Sequence, residues 1–473
     1  MPDGIRSIEV LESLPASKIL PFHLYIVLYF LIALIIAPIH LLAFDTYYYW
    51  DWSRHLDLSY YDGSPMIAYF IKVSTWLFGD SLFALSLVGI IVVGFTCLFI
   101  FKTAQLLMSK EASYIAVLLW LFAPLITLDL LNQTTYDTPL TLFWAMTVYY
   151  VCKYIKTNRV TSLYAVGVCI GLMLLSKYTG VVLVLGIMLF LMGSPYRVLF
   201  KSIHFYLAIF IAFVLFIPVI YWNYLHDWQS FIYQLKAHQL VNSQSGIINV
   251  LKSIVSVFLP ILNFMVMPLW FYFRLDKDRK SYALQFCFVV SMTYLIFFLF
   301  KSSDTAIRYY WLTQFLITSS ILGGFCYQEL KIKKLFHFLI IGYAVSSVGI
   351  LLSNTVYFDL FHGKKMAHYR ALQQFNQEHT LLPRTIITPG WFEARMLFFL
   401  KDKPEIYTID CGSEQNQYKL WSQHLLKSIQ RGEISEVLYI DAYDRSTCMK
   451  NYFKQCQPIL IRAPLHAYRC SNG

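Results

Sequence analysis

The sequence predicts a polytopic α-helical membrane protein that ends in a small α/β domain. Of its 473 residues, 58% are hydrophobic, 18% aromatic and only 14% charged, which lies far outside the composition of soluble globular domains. Apolar windows of about 20 residues, the length that crosses a bilayer, recur from Pro21 to Asn354. After that point long apolar windows no longer occur and the sequence is typical of a soluble domain, so we predict two domains, residues 1–355 and 356–473.

The apolar windows define about eleven transmembrane helices. They are predicted at Pro21–Phe44, Ser81–Phe101, Ala112–Leu131, Thr138–Tyr154, Thr161–Ser176, Thr179–Gly193, Ile203–Tyr224, Ile247–Phe271, Tyr282–Phe300, Tyr309–Tyr327 and Leu335–Asn354. The opening MPDGIRSIEVLESLPASKIL is polar, and the apolar run after it is too long for the core of a cleavable signal peptide. The first helix is therefore expected to remain as an anchor.

Basic residues flank these segments unevenly. If the N-terminus is cytoplasmic, most Lys and Arg residues fall at cytoplasmic ends. The opposite ends carry only Arg54, Lys72, Lys177, Lys236, Lys252, Lys301 and Arg308. By the positive-inside rule, this asymmetry predicts a cytoplasmic N-terminus. An odd number of spans then places the C-terminal domain on the extracytoplasmic side. The net charge of +11 does not by itself indicate a nucleic-acid partner.

The cysteines agree with that orientation. Five lie within or at the ends of apolar segments, where a thiol behaves as a small apolar group. The other four are in the tail, at Cys411, Cys448, Cys456 and Cys470. In an oxidising compartment these four could form disulfides in three connectivities, or they could remain buried thiols. The sequence does not choose among these arrangements.

The tail alternates between two kinds of pattern. RTIIT, EIYTID, EVLYID and PILIRA are typical of short strands, and the segments around WFEARMLFFL and LWSQHLLKSIQRG are typical of helices. The alternation predicts a small α/β unit. No motif within it indicates catalysis.

The segment from Asp45 to Asp80 is long for a loop between membrane helices. Its stretches TYYYWDWSRHL and SPMIAYFIKVSTWLF predict amphipathic helices in the membrane interface. An ordinary interfacial aromatic belt would account for the aromatic residues alone. Asp45 is predicted in the last turn of the first helix, at the unfavourable end of the helix dipole. If its carboxylate lies deep in the bilayer, insertion costs up to about 2.5 to 3.5 kcal/mol. We therefore expect Asp45 to be functional.

Further polar residues recur on the same predicted face. TTYDTP places Asp137 at the outer mouth of the fourth span, where it also suits a helix N-cap. LSKYTG places Lys177 and Tyr178 in a short turn between two spans. Outward positive charges are few, so Lys177 and Arg308 are candidates to bind an anion, against the alternative that they snorkel to lipid headgroups.

Four motifs in order carry a family resemblance: FDTYYYWDWSRHLDLSYYDGSPMIAYFIKVSTWLFGDS, TTYDTPLTLFWAM, LSKYTGVVL and WNYLHDWQSFIYQ. Up to about residue 330, the chain resembles the bacterial branch of the dolichyl-phosphate-mannose protein mannosyltransferase superfamily, which includes aminoarabinose transferases of lipid A. The resemblance implies the GT-C fold in the bacterial inner membrane, with interfacial helices in the first external loop and a C-terminal extracytoplasmic domain. The family's Asp-Glu pair is matched by Asp45 and Thr46, and its His-Pro-Pro by GSP after Asp62, so each motif keeps its acid and loses a partner.

The resemblance implies a glycosyltransferase that moves a sugar from a polyprenyl phosphate, such as undecaprenyl phosphate, to lipid A, lipopolysaccharide core, another glycan or a protein. Such a reaction needs a carboxylate to take the proton of the acceptor hydroxyl, and positive charge or a metal to stabilise the departing phosphate. Asp45 is the predicted base, with Asp137 as a second catalytic acid. These two, with Asp62, could hold Mg²⁺ or Mn²⁺, and metal dependence is left open.

The remaining site residues are predicted to contact substrate. They are Asp62, Tyr48, Tyr61, Lys177, Tyr178, Asn223, His226, Gln234 and Arg308, of which Lys177 and Arg308 would hold the phosphate. Two alternatives stay open. The first is a transporter or flippase for a polyprenyl-linked sugar, which would have charges near the membrane midplane and repeated halves, a pattern that the sequence does not show. The second is a relative of these enzymes that has lost catalysis, because the acidic partner of Asp45 is missing.

Overall fold

The computed structural model describes residues 20–236, 251, 281–302, 307–330, 333–355, 374, 385–388, 398, 405–409, 416–441, 446–462 and 465–472. The N-terminal part is helical. Its α-helices are α1 Leu20–Ile36, α2 Phe44–Arg54, α3 Met66–Phe78, α4 Leu82–Gln105, α5 Lys110–Leu121, α6 Pro124–Ile126, α7 Asp137–Thr157, α8 Val160–Leu174, α9 Val181–Met192, α10 Ile203–Leu225, α11 Gln229–Lys236, α12 Tyr282–Lys301, α13 Thr313–Glu329 and α14 Lys333–Ser353.

Short helical turns of other kinds join several of these helices. They are the 3-10 segments Ala37–Ile39, Tyr178–Gly180, Pro195–Lys201 and Tyr309–Leu312, and the π-helix Thr127–Leu131. The π-helix follows α6 directly and carries Asp129. Such π segments are rare and recur at functional sites.

The predicted membrane class agrees with these helices. Among the described residues, five helices are long and apolar enough to cross a bilayer, and up to seven if each of two bent pairs counts as one span. The count of eleven spans stays a prediction, and most of the span predicted at Ile247–Phe271 lies outside the described residues. The third predicted span, Ala112–Leu131, is broken by a 52° bend between α5 and Pro124, because proline cannot donate the helical hydrogen bond and constrains Ala123 before it.

The helices differ strongly in burial, and two of them lie inside the bundle. Residues 112–121 of α5 and 313–327 of α13 are buried without interruption. By contrast, only 22%, 17% and 22% of the apolar windows of α1, α10 and α14 are buried, so these helices present most of their side chains to lipid.

Close packing of α4 on the π-helix depends on Gly89. A Cβ atom at Gly89 would lie 2.2 Å from the carbonyl oxygen of Leu130. That distance is too short for any side chain, so only glycine fits at this position. The backbone of Thr127–Leu131 is therefore held directly against α4. This contact fixes the segment that carries Asp129.

The first external loop contains two helices, as predicted, but their environments differ. In α3, Ile67, Ala68 and Ile71 are buried, and the opposite face exposes Trp76 at 78%. That exposed apolar face suits a helix lying in the interface. In α2 the aromatic residues are buried instead: Tyr47, Tyr48, Tyr49, Trp50 and Trp52 are each no more than 3% exposed. The explanation of these residues as an interfacial aromatic belt is therefore wrong, because they pack inside the protein.

The tail residues form a five-stranded sheet. Its elements are β1 Thr385–Ile387, β2 Glu405–Tyr407, α15 Gln417–Gln430, β3 Glu436–Asp441, α16 Ser446–Met449, β4 Gln455–Arg462 and β5 Leu465–Ser471. The strand order is β2-β1-β3-β5-β4; β1 is parallel to β2 and β3, and β5 is antiparallel to β3 and β4. The four predicted strands and the helix around LWSQHLLKSIQRG are present, β5 was not predicted, and the segment WFEARMLFFL lies almost wholly outside the described residues. The division into two domains stays a prediction.

Tail cysteines form disulfides, one of the alternatives that the sequence leaves open. Cys456 of β4 is bonded to Cys470 of β5, and Cys448 is also disulfide-bonded. The five cysteines of the apolar segments are free and buried, as expected.

The sheet packs against the first external loop through a shared apolar core. Tail residues Ile386, Tyr418 and Leu438 belong to the same buried cluster as Tyr48 and Trp50 of α2. Ring contacts connect the two parts: Tyr48 to Tyr418 at 5.4 Å between centroids, and His55 to Trp421 at 4.8 Å. The helix that carries Asp45 is thus enclosed between the membrane helices and the tail.

Candidate active site

Asp45 lies in the first turn of α2, so the prediction that it closes the first membrane helix is wrong. The apolar run contains Pro38, and α1 ends at Ile36, before the 3-10 turn Ala37–Ile39. Proline ends the helix because it has no N–H to donate. In the first turn of α2 the helix dipole favours the Asp45 carboxylate, which removes the electrostatic cost expected from the sequence.

The start of α2 is fixed against the segment that leads to Asp137. The backbone N–H of Ala43 donates to the carbonyl of Asn132 at 2.8 Å, and the N–H of Thr134 donates to Oγ1 of Thr46 at 2.8 Å. Asp45 stands between these two contacts and is half-buried. Its position is therefore set by hydrogen bonds on both sides, one between backbone groups and one to the Thr46 hydroxyl.

Asp62 is buried beneath Asp45, with 3% of its surface exposed. Tyr48 donates a hydrogen bond from its hydroxyl to Oδ2 of Asp62, and Gln234 donates to the backbone carbonyl of Asp62. Burial raises the pKa of Asp62 to about 7, against the lowering effect of the Tyr48 hydrogen bond and with a further increase from the charge of Asp45. Asp62 therefore titrates near neutral pH in the folded protein.

Asp137 and Lys177 form a buried ion pair. The Lys177 Nζ lies 2.7 Å from both carboxylate oxygens of Asp137, and the side chains are 12% and 2% exposed, respectively. The same ammonium lies 4.4 Å from the ring centroid of Tyr136. Two predicted site residues, 40 positions apart, are thus brought together, and the charge of Lys177 is already balanced by Asp137.

Tyr310 lies close to several charged groups of the site. It interacts electrostatically with Asp45, Asp137, Arg308 and Asp129. Arg308 itself is exposed, just before the 3-10 turn that contains Tyr310. Asp45, Asp137 and Arg308 therefore converge on one face of the protein.

Asp129 is fully buried behind this face. Gln133 donates from Nε2 to Oδ1 of Asp129 at 2.9 Å, and the Thr313 hydroxyl donates to Oδ2. Thr313 also donates to the carbonyl of Tyr310 at 2.9 Å. Asp129 thereby helps to hold the turn that presents Tyr310 and Arg308.

The predicted rim residues mostly contact other parts of the protein. Asn223 is fully buried, with Nδ2 donating to Val219 and Oδ1 accepting from the N–H of Phe231. His226 stacks on Trp222 at 3.9 Å between ring centroids. Tyr178 lies 2.9 Å from Ser230 between hydroxyl oxygens. These contacts position α11, and the predicted substrate contacts of Asn223, His226 and Tyr178 stay predictions.

Tyr48 and Tyr61 likewise contact protein groups. The Tyr48 hydroxyl, besides binding Asp62, accepts a hydrogen bond from the backbone N–H of Gln417 at 2.9 Å. The N–H of Tyr61 donates to Oε1 of Gln417 at 2.6 Å, and its ring lies 5.1 Å from that of Tyr233. Both tyrosines thus border the tail.

The described residues contain no group of three or more His, Cys, Asp or Glu side chains that could hold a metal ion. Asp45 and Asp137 do not form such a group, and Asp137 is engaged by Lys177. The expectation of Mg²⁺ or Mn²⁺ stays a prediction.

Sequence reasoning missed several members of this site. Tyr136 directly precedes Asp137 in TTYDTP and Tyr310 is two positions after Arg308 in RYYWL, and that proximity was the available signal. Asp129 carried only a weak signal, as an acid close to the end of the third predicted span. Gln417 carried no signal, because it lies in the tail and reaches the site only through the tertiary fold.

The chain has the GT-C fold that the sequence predicts, with the candidate site residues gathered on one face. Along almost the whole chain it is similar to ArnT from Cupriavidus metallidurans, with a TM-score of 0.73 and 14% identity over 97% of this chain and 99% of that one. The same protein bound to undecaprenyl phosphate matches with a TM-score of 0.73 and 13% identity, over 96% of this chain and 98% of that one. At these identities the likeness establishes the fold.

The sequence resemblance predicted above is confirmed. Residues 62–222 match the family model of dolichyl-phosphate-mannose-protein mannosyltransferases. Over 189 residues the chain is 29% identical to the lipid A galacturonosyltransferase RgtD of Rhizobium johnstonii, a match that covers 39% of this chain and 38% of RgtD. Both the family and RgtD carry the names of glycosyltransferases, in agreement with the predicted enzyme class. The matched family segment includes Asp62, Asp137 and Lys177.

Proposed function

We propose that the protein transfers a sugar from a polyprenyl-phosphate donor to a glycolipid acceptor on the extracytoplasmic side of the bacterial inner membrane. The family match supports the reaction class, the ArnT structure with undecaprenyl phosphate supports the donor class, and RgtD, named for lipid A, supports lipid A as the first acceptor to test. Other glycans and proteins are the remaining acceptor classes.

The observation that carries this proposal is the unequal burial of the acids at the site. Asp62, Asp129 and Asp137 are 3%, 0% and 1% exposed. Asp45 is half-buried and lies at a helix N-terminus, which favours its ionised form. A general base must be ionised and must reach the acceptor hydroxyl. Among these four acids, Asp45 is the most exposed and also lies at a helix N-terminus, so it is the best placed to serve as the base.

Asp45 then acts as the base. It takes the proton of the acceptor hydroxyl while the hydroxyl oxygen bonds to the anomeric carbon of the sugar. The bond from that carbon to the phosphate oxygen breaks, and polyprenyl phosphate leaves with the electron pair. General base catalysis of this kind contributes about a hundred- to ten-thousandfold in rate.

Arg308 is the better placed of the two predicted phosphate ligands. Its guanidinium is exposed beside Tyr310, whereas the Lys177 ammonium is already bound by both oxygens of Asp137. An Arg fork can bind two phosphate oxygens at once. Lys177 contributes by holding Asp137 and Tyr136 in place beside the donor.

The outward orientation has its own support. Disulfides form and persist in oxidising compartments and are rare in the cytosol. The Cys456–Cys470 bond lies in the sheet that packs on α2, the helix that carries Asp45. The tail and the site thus share one side of the membrane, and the disulfide favours the extracytoplasmic side.

The experiment supplies purified protein with radiolabelled undecaprenyl-phosphate sugars and with lipid A. Transfer of label to lipid A supports the proposal, and Asp45→Asn should abolish it. Asp80→Asn is the matched control, since Asp80 is an exposed acid of the same loop that accepts a hydrogen bond from Trp50 through an oxygen that asparagine retains. Movement of intact lipid between leaflets without cleavage would indicate a flippase instead. Absence of both activities with every donor and acceptor class would indicate an inactive relative.

A further inference from the structure

The tail reaches the candidate site through the first residue of α15. The backbone N–H of Gln417 donates to the Tyr48 hydroxyl oxygen at 2.9 Å, and that hydroxyl donates to Oδ2 of Asp62. On the other side, Oε1 of Gln417 accepts from the N–H of Tyr61 at 2.6 Å. One residue of the tail therefore contacts both segments that enclose Asp62.

These groups are shielded from water. Gln417 and Tyr48 are each 1% exposed, and Asp62 is 3% exposed. A hydrogen bond in such a setting is stronger than in water, and successive hydrogen bonds polarise one another. The positive end of the α15 dipole lies at Gln417, so the chain from Gln417 through Tyr48 stabilises negative charge on Asp62.

The contacts engage one of the two carboxylate oxygens. Oδ2 of Asp62 accepts from Tyr48. Oδ1 is buried and has no hydrogen-bond partner among the described residues. Buried polar atoms in folded proteins nearly always have a hydrogen-bond partner, so Oδ1 is an acceptor that a donor from outside the protein, such as a sugar hydroxyl, would satisfy.

We propose that Gln417 is a positioning residue, which orients Asp62 through Tyr48 so that the free oxygen of Asp62 accepts a hydroxyl of the substrate. This inference rests on the proposed function and assigns a task to the tail. A simple docking contact would not require the hydrogen bonds to end on an acid, because the ring contacts of Tyr418 with Tyr48 and of Trp421 with His55 already join the two parts.

The test uses the full chain in detergent and three substitutions. Gln417→Pro removes the N–H that Tyr48 accepts, and proline is well tolerated at the first position of a helix. Gln417→Ala keeps that N–H and removes only the contact to Tyr61. Tyr48→Phe removes the hydroxyl and keeps the ring. If the proline variant does not fold, an unchanged titration of Asp62 in Tyr48→Phe still overturns the proposal, since every contact from Gln417 to Asp62 runs through that hydroxyl.

The readout is the titration of Asp62, followed by infrared difference spectroscopy of its carboxyl group, with Asp62→Asn to identify the signal. Titratable groups that face Asp62 include Asp45, Tyr48, Tyr49 and Tyr61, and the tyrosines stay neutral over the range used. Hydrogen bonds to charged groups are worth enough to move a titration by about one to two pH units. Tyr48→Phe should raise the midpoint by about that amount, Gln417→Pro by a smaller amount, and Gln417→Ala should leave it unchanged.

The double variant Tyr48→Phe with Gln417→Pro should titrate like Tyr48→Phe alone, because both changes interrupt one chain of contacts. An unchanged midpoint in Tyr48→Phe, or shifts that simply add in the double variant, would overturn the inference. Transfer assays on the same proteins should show KM for the donor rising together with the midpoint. If the midpoints move but the wild-type protein transfers no sugar, the proposed function fails while the contact of Gln417 to Asp62 stands.

Discussion

Replacing Lys177 with methionine should strongly destabilise the folded protein. The substitution keeps most of the side-chain volume but leaves the Asp137 carboxylate buried without its cation. Both of its oxygens lose a hydrogen bond of 2.7 Å at a position where the carboxyl side chain is 2% exposed. Removing one partner of a buried ion pair costs about 3–5 kcal/mol, and Tyr136 also loses its contact with the ammonium.

The measurement is the free energy of unfolding of the purified protein in detergent at neutral pH. Lys333→Met is the matched control, because Lys333 lies 3.7 Å from Glu111 with the two side chains 51% and 35% exposed. Exposed pairs contribute about 0–1 kcal/mol. The two substitutions remove the same chemical group, so the difference between them reports burial.

A double variant completes the cycle. Lys177→Met with Asp137→Leu replaces the pair by apolar side chains of similar size, a change that is often neutral or stabilising in buried sites. The double variant should therefore be more stable than Lys177→Met alone. If Lys177→Met costs no more than Lys333→Met, or if the double variant loses the sum of the two single losses, the reasoning about burial is refuted.

Three further outcomes are expected. Asp45→Asn should lower transfer by about a hundred- to ten-thousandfold in a folded, membrane-inserted protein, and normal transfer by this variant would exclude Asp45 as the base. Because burial raises the folded-state pKa of Asp62 to about 7, the free energy of unfolding should fall as pH rises from about 4 to 7. Asp62→Asn should flatten that fall in unfolding measurements, and an equally steep fall in the variant would contradict the raised pKa of Asp62. Arg308→Ala should raise KM for the donor about tenfold or more and Arg308→Lys by less, whereas equal KM values in all three proteins would remove Arg308 from the phosphate site.

Composition was sufficient to predict the membrane class, because it depends on a local property, the length of the apolar segments. Acids beside aromatic residues also singled out Asp45, Asp62 and Asp137 as candidates, and their role as a site stays a prediction. The position of Asp45 within its helix was not predicted, because hydropathy stays high on both sides of Pro38 and conceals the end of α1. Backbone hydrogen bonding, rather than hydropathy, sets that boundary.

The partners of the site residues could not be read from local sequence. Asp137 and Lys177 are 40 positions apart, and Tyr48 and Gln417 are 369 positions apart. No periodicity connects such residues, since their contacts arise only when separate helices and the tail pack together. The same packing explains why the aromatic residues of α2, which suit a membrane interface by composition, are buried within protein.

The shared core of α2 and the tail also sets an order of events during synthesis. Helix α2 leaves the ribosome well before the residues that cover it, among them Ile386, Tyr418 and Ala467. A polypeptide that lacks these residues would expose part of the tyrosine and tryptophan rings of α2. The shared core is therefore completed only when the tail strands have been synthesised, and chains cut before them become targets for quality-control proteases.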